Sequence, residues 1–295
     1  MTTGLGQESI NTIAGNCLRV GSFDISHTAA ELSQLAGVLA GFAFFAVIFV
    51  LTNHGNRPPN EGGSARFDYA LLALFCATFG LAITAVQYAM LAGEINIGLW
   101  YGRASSEEVM ADISLSLSIL ILAAAMILLM PQFDRAEKAL RGLTAVVGPP
   151  MAVYFVAETC RELTVGIWAS KAGRLLCGSN AAYTQVQLWG HTIAPLAVLL
   201  CAFSIWVVHR YLPLENKLKK VANRIHIAVP ITALVVVIAS VSVGVGFDVF
   251  QPKEHLGVTG IWIALGVTAL ITLLQAFEIL FYSEDAAVSA ASESS

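Results

Sequence analysis

An all-α integral membrane protein, a bundle of seven transmembrane helices, is the fold this sequence predicts, and three observations carry the prediction. Hydrophobic residues make up 57% of the 295 and charged residues only 12%, whereas a soluble domain carries about a quarter charged residues. The apolar residues gather in seven blocks, each close to the about 20 residues that a helix needs to cross the hydrocarbon core. Almost all of the 16 Lys and Arg fall between these blocks rather than within them.

The chain divides into an N-terminal segment (1–29), a seven-helix domain (30–282) and a C-terminal tail (283–295). In the first segment Ile10, Ile13, Ala14, Cys17 and Leu18 recur at helical spacing with Asn11, Thr12, Asn16 and Arg19 opposite, which predicts a short helix lying at the membrane surface. The opening MTTGLGQESI lacks the basic and apolar regions of a secretory signal, so the first span is expected to stay as an anchor. The spans are predicted at 30–52, 68–91, 107–130, 140–165, 186–208, 226–247 and 257–281. Thr28 with Glu31 and Ser105 with Glu108 have the spacing of capping boxes at the starts of the first and third helices. Pro131 stops the third helix by withholding an N–H donor.

Gly37 and Gly41 form a GxxxG pair in the first span, which predicts close packing on a neighbouring helix or a homodimer seam. In the fourth span Gly148, Pro149 and Pro150 fall near mid-membrane, where two missing donors predict a kink or break and hence a place for a site. The final segment, SEDAAVSAASESS, is acidic and small and predicts a disordered tail.

Ten of the basic residues (Arg57, Arg66, Arg135, Lys138, Arg141, Arg210, Lys217, Lys219, Lys220, Arg224) lie on the side of the first, third and fifth loops, and six (Arg19, Arg103, Arg161, Lys171, Arg174, Lys253) on the other. The excess marks the cytoplasmic side. The N-terminus is therefore expected outside and the C-terminus inside, in a plasma or cell membrane. Trp100, Trp168, Trp189 and Trp262 then belong to the outer interface. The basic fifth loop is expected to meet anionic lipid, and nothing in the charge pattern points to a nucleic acid.

Ser242-Val243-Gly244-Val245-Gly246 resembles a potassium-channel selectivity filter in composition. A filter follows a short re-entrant helix, whereas this segment ends a run long enough to be a full span. The reading adopted is an ordinary helix end, with Gly244 and Gly246 thinning it for a neighbour and Asp248 capping its exit.

Ionisable groups inside a span are expensive and default to functional candidates. Glu94, Asp112, Glu158, Glu162, His191 and Asp248 all fall toward the expected outer side, and Glu158, Arg161 and Glu162 share one helical turn. Asp112 with Ser116, and Ser114 with Ser118, give the third helix polar faces. Gln187 and His191 are four apart in the fifth.

These residues suggest a path for cations, protons or a small cationic solute, with Glu158 as the binding or relay group, Arg161 tuning it, and Asp112 and His191 lining the way. The alternative is a receptor-like or accessory protein that acts through a membrane partner or a second copy. Cys160 and Cys177 flank an outer loop and could form a disulfide, with Cys17 as a rival partner. No metal or cofactor is predicted. Haem lacks two histidines at matched depth, and retinal lacks a lysine in the seventh helix. The sequence carries no hydrolase, zinc-protease or P-loop motif, so the expectation leans away from an enzyme.

Overall fold

Seven long helices follow one another in the computed structural model, which describes residues 25–54, 64–93, 101–130, 134–172, 185–211, 218, 221–222, 225–250 and 256–281. They are α1 (Ile25–His54), α2 (Ser64–Ala92), α3 (Tyr101–Leu128), α4 (Asp134–Ala172), α5 (Ala194–Tyr211), α6 (Ala228–Phe250) and α7 (Val258–Phe281). A π-helical stretch, Val186–Ile193, runs directly into α5. Among the described residues there is no strand. With the π-helical stretch counted into the fifth, each of the seven is long and apolar enough to span a membrane. The interfacial N-terminal helix, the acidic tail, most of the basic fifth loop, Cys17, Cys177 and Glu94 lie outside the described residues.

Side-chain bridges show that the first four helices run antiparallel in turn. Ser33 near the start of α1 donates to the carbonyl of Ala85 near the end of α2 at 2.8 Å. Asp112 early in α3 meets Tyr88 late in α2 and Thr159 late in α4. Helix α3 is central, with α2, α4, α6 and α7 packed around it, and every residue from 104 to 118 is buried. This explains why its serines need partners: Ser114 Oγ lies 2.6 Å from Ser240 Oγ of α6, and Ser106 accepts the N–H of Leu256 at 2.8 Å. Helix α1 is peripheral and rests mainly on α2. Its outer face leaves Phe42, Phe45 and Phe49 more than 60% exposed, a surface suited to lipid rather than water.

Several expectations are corrected. Helices α1 and α3 begin at Ile25 and Tyr101, so Thr28–Glu31 and Ser105–Glu108 lie inside the helices and cap nothing. Glu31 instead meets His27 at 3.5 Å, and Glu107 meets Arg103 at the same distance. Polar residues extend a membrane helix beyond its apolar block because the backbone stays satisfied internally at no cost.

Gly37 and Gly41 are exposed, and a Cβ at either would touch nothing within 4 Å. The seam of α1 is their neighbours' side: Ala29, Ala36, Ala40, Ala43, Val47 and Val50 are buried at alternating heptad-like spacing. The intramolecular GxxxG contact is thus replaced by an alanine seam one residue away.

The fourth helix is not broken. It runs unbroken through buried Pro149 and Pro150 for 39 residues, about 58 Å of helix. In lipid no irregular backbone is available to a chain leaving the helix, and neighbours re-satisfy what two prolines free. Gly148 lies under α3, where a Cβ would sit 2.6 Å from Leu120 Cδ2.

The glycine motif in α6 is helical throughout, because α6 continues to Phe250. Filter geometry is excluded there, and Asp248 lies within the helix rather than beyond its end. Gly244 is buried against Gln87, whose Nε2 would be 3.9 Å from an added Cβ, whereas Gly246 faces open space. Neither position is approached closely enough to require glycine.

Candidate functional site

The polar residues singled out above form two linked groups where α2, α3, α4 and the start of α5 meet. Asp112 is 1% exposed on the central helix. Its Oδ1 accepts the Tyr88 hydroxyl from α2, and its Oδ2 accepts the Thr159 hydroxyl from α4. Both carboxyl oxygens are thereby held by neutral donors. Among the described residues no cationic side chain pairs with it, although a charge buried this deeply is normally neutralised by a partner or by a proton.

Thr159 is the link to the second group, because the residue before it is Glu158. One turn of α4 presents Thr159 toward α3 and Glu158 toward α5. Glu158 Oε1 pairs with Arg161 on the next turn, and its Oε2 lies 2.5 Å from His191 Nε2. The His191 ring also leans on Tyr154, with centroids 4.6 Å apart. The Glu158 side chain is 37% exposed, so this group opens outward while Asp112 is sealed inside.

His191 reaches Glu158 from the π-helical stretch. Pro195 follows closely: it has no N–H and its ring crowds the carbonyl four residues back. A wider turn relieves that conflict, and the Ala194 N–H accordingly reaches the carbonyl of Trp189, five residues back. Such π segments recur at functional sites. Gln187 is exposed and His191 half-buried.

Of the other predicted site residues, Glu162 lies in α4 and Asp248 in α6, and their side chains are outside what the structure describes. Cys160 is a free thiol, fully buried beside Val156, Ala157 and Leu163. Cys76 is likewise free and buried, and Cys201 is free and exposed. Trp189 and Trp262 line one surface cleft with Gln185, Ile193 and Ala194, consistent with both sharing one interface. Among the described residues no three of His, Cys, Asp and Glu gather closely enough to hold a metal ion.

Sequence reasoning found Asp112, Glu158, Arg161 and His191 through their ionisable chemistry. It missed Tyr88 and Thr159, since a lone Tyr or Thr in a span carries no signal until a carboxyl is placed against it. It also missed that Glu278, near the end of α7, accepts a hydrogen bond from Tyr69 near the start of α2, 209 positions away.

Taken together, the helices and the buried polar groups define a multi-span membrane protein, integral to a lipid bilayer. Comparison of the chain with protein-family models, curated proteins and solved structures finds no match.

Proposed function

We propose that this protein moves protons or a small cation across the membrane through the Asp112 and Glu158 groups. The observation that carries the reading is the Asp112 carboxyl, sealed in the bundle by two hydroxyls and paired with no cation among the described residues. A group so placed either holds a proton or receives a cation, and intramembrane acids of this kind mark ion pathways and proton relays. Hydroxyls can pass a proton by rotating between donor and acceptor roles, so Tyr88 and Thr159 are the relay partners within this chain. Glu158 is the entry group. Its partial exposure leaves it reachable from outside the bundle, Arg161 holds its charge in place, and the His191 imidazole can take up or give back a proton at Nε2.

The orientation of this reading has the N-terminus outside, which puts the Glu158 group on the outer side and Lys217, Lys219, Lys220 and Arg224 against anionic inner lipid. The reading is tested by flux into liposomes under a voltage and a pH gradient, comparing wild type with Glu158→Gln. Reduced flux in the variant supports it, and folded wild type that carries neither protons nor cations overturns it.

A second reading, a receptor-like or accessory protein working through a membrane partner or a second copy, draws support from α1. That helix touches little beyond α2 and turns Phe42, Phe45, Phe49 and both glycines outward, a face that another helix could cover.

A further inference from the structure

A second buried acid stands at the other end of the bundle. Glu278 is 4% exposed near the end of α7 and accepts the hydroxyl of Tyr69 from the start of α2. The two line a cavity of about 10 Å³ together with Arg141 of α4 and apolar residues of α3 and α7. That volume has room for about one water. Arg141 Nη2 lies 2.6 Å from Glu137 on its own helix, so the cavity wall holds one cation that already has a carboxylate partner, and a further acid.

One turn deeper on α7 is Gln275, 3% exposed, whose amide oxygen and nitrogen have no hydrogen-bond partner among the described residues. Buried Thr272 and Thr268 continue the same face. The polar stripe from Glu278 to Thr268 covers about 15 Å of helix rise, about half the hydrocarbon thickness. Its direction is from the C-terminal face toward the middle, whereas Asp112 is reached from the opposite face.

We propose that Glu278, with Tyr69 and Arg141 around the cavity, is a proton-exchange site at the face where α7 ends, the counterpart of the Asp112 and Glu158 groups. The inference rests on the transport reading for its purpose, though the site's chemistry can be read separately. The Glu278 carboxylate takes a proton from hydronium, leaving water, and the reverse step returns the proton to water. Tyr69 from α2 and Arg141 from α4 face Glu278 across the cavity, and the titratable groups one contact further out set the balance with them: Glu137 on Arg141, His226 edge-on to the Tyr69 ring at 5.2 Å, and His209 of α5 edge-on to Phe281 at 5.0 Å.

The test uses the full chain in lipid, with two readouts. Infrared spectra across a pH series should show the carbonyl stretch of a protonated carboxyl that titrates, shifts in D₂O and disappears in Glu278→Gln. In proton-loaded liposomes the same variant should lower flux about 100-fold, the low end of what a positioned proton-transfer group contributes. Tyr69→Phe removes only the hydroxyl and should shift the band without removing it, which covers the case in which Glu278→Gln fails to fold. The site is overturned if no titrating band depends on Glu278 or moves with Tyr69→Phe, or if wild type carries flux and folded Glu278→Gln carries the same flux. A titrating band that disappears in Glu278→Gln, in wild-type protein that carries no flux, overturns the transport reading and supports the exchange site.

Discussion

Gly80 of α2 packs close against Ser118 of the central helix, and replacing it makes a sharp test of the packing. A Cβ on Gly80 would lie 2.3 Å from Ser118 Oγ, 3.2 Å from Ser118 Cβ and 4.0 Å from Val237 Cγ2. Carbon contacts are comfortable at about 3.5–4.0 Å. Rotating the serine can move its oxygen, but Ser118 is fully buried, and its Cβ cannot follow without moving the helix. Gly80→Ala should therefore destabilise the bundle by about 2 kcal/mol, within the 1–3 kcal/mol usual for overpacking.

Ser118→Gly alone should cost about 0.5 kcal/mol through its helix propensity. In the double variant the clash is gone, so the two changes should couple favourably by about 1–2 kcal/mol, as contacting residues do. The assay is unfolding of the purified protein in mixed micelles, followed by helix circular dichroism, for the four members of the cycle. A Gly80→Ala variant as stable as wild type, or a double variant no better than the sum of the singles, would refute this account of the α2–α3 contact.

Other changes probe the site and the seams. Tyr88→Phe and Thr159→Val each remove one hydroxyl from Asp112 and should each cost about 1–3 kcal/mol of stability, the range for leaving a buried polar group unsatisfied. Thermal unfolding in lipid checks both. Arg161→Gln should change stability by less than about 1 kcal/mol, because its pair with Glu158 is partly exposed, while still altering flux. Ala36→Leu should destabilise α1 packing by about 1–3 kcal/mol, whereas Gly37→Leu should not destabilise the monomer, since nothing lies within 4 Å of it, and its better helix propensity should add up to about 1 kcal/mol. Unfolding curves for this pair decide which face of α1 packs.

How much of this was legible in the sequence depended on which physical rule applied. Span positions were readable to within several residues because hydrocarbon thickness sets block length directly. Helix starts were not: hydropathy reports the lipid core, and capping signals come from helices ending in water, so Ile25 and Tyr101 were placed too late. The double proline suggested a kink or a break, and the continuous α4 shows no break, because helical backbone is retained in lipid where surrounding groups can meet what a proline frees. GxxxG named the right stretch of α1 and the wrong side, since a motif fixes spacing but not which face has a neighbour.

The ionisable half of the site was readable because Asp112, Glu158 and His191 are costly in a membrane wherever they point. Their hydroxyl partners were not, and neither was the Glu278–Tyr69 pair, whose members are distant in the chain. The spacing of Thr268, Thr272, Gln275 and Glu278 along α7 was visible and would have flagged a polar face there.

The most direct test of the transport account is the initial rate of ion entry into vesicles holding the purified protein, with H⁺, Na⁺ or K⁺ as the carried ion, for wild type and Asp112→Asn. The account predicts wild-type entry of one of these ions well above that of protein-free vesicles, and an Asp112→Asn rate reduced to that background in protein of unchanged helix content. Wild-type protein no faster than empty vesicles, or an Asp112→Asn rate equal to wild type, would contradict it.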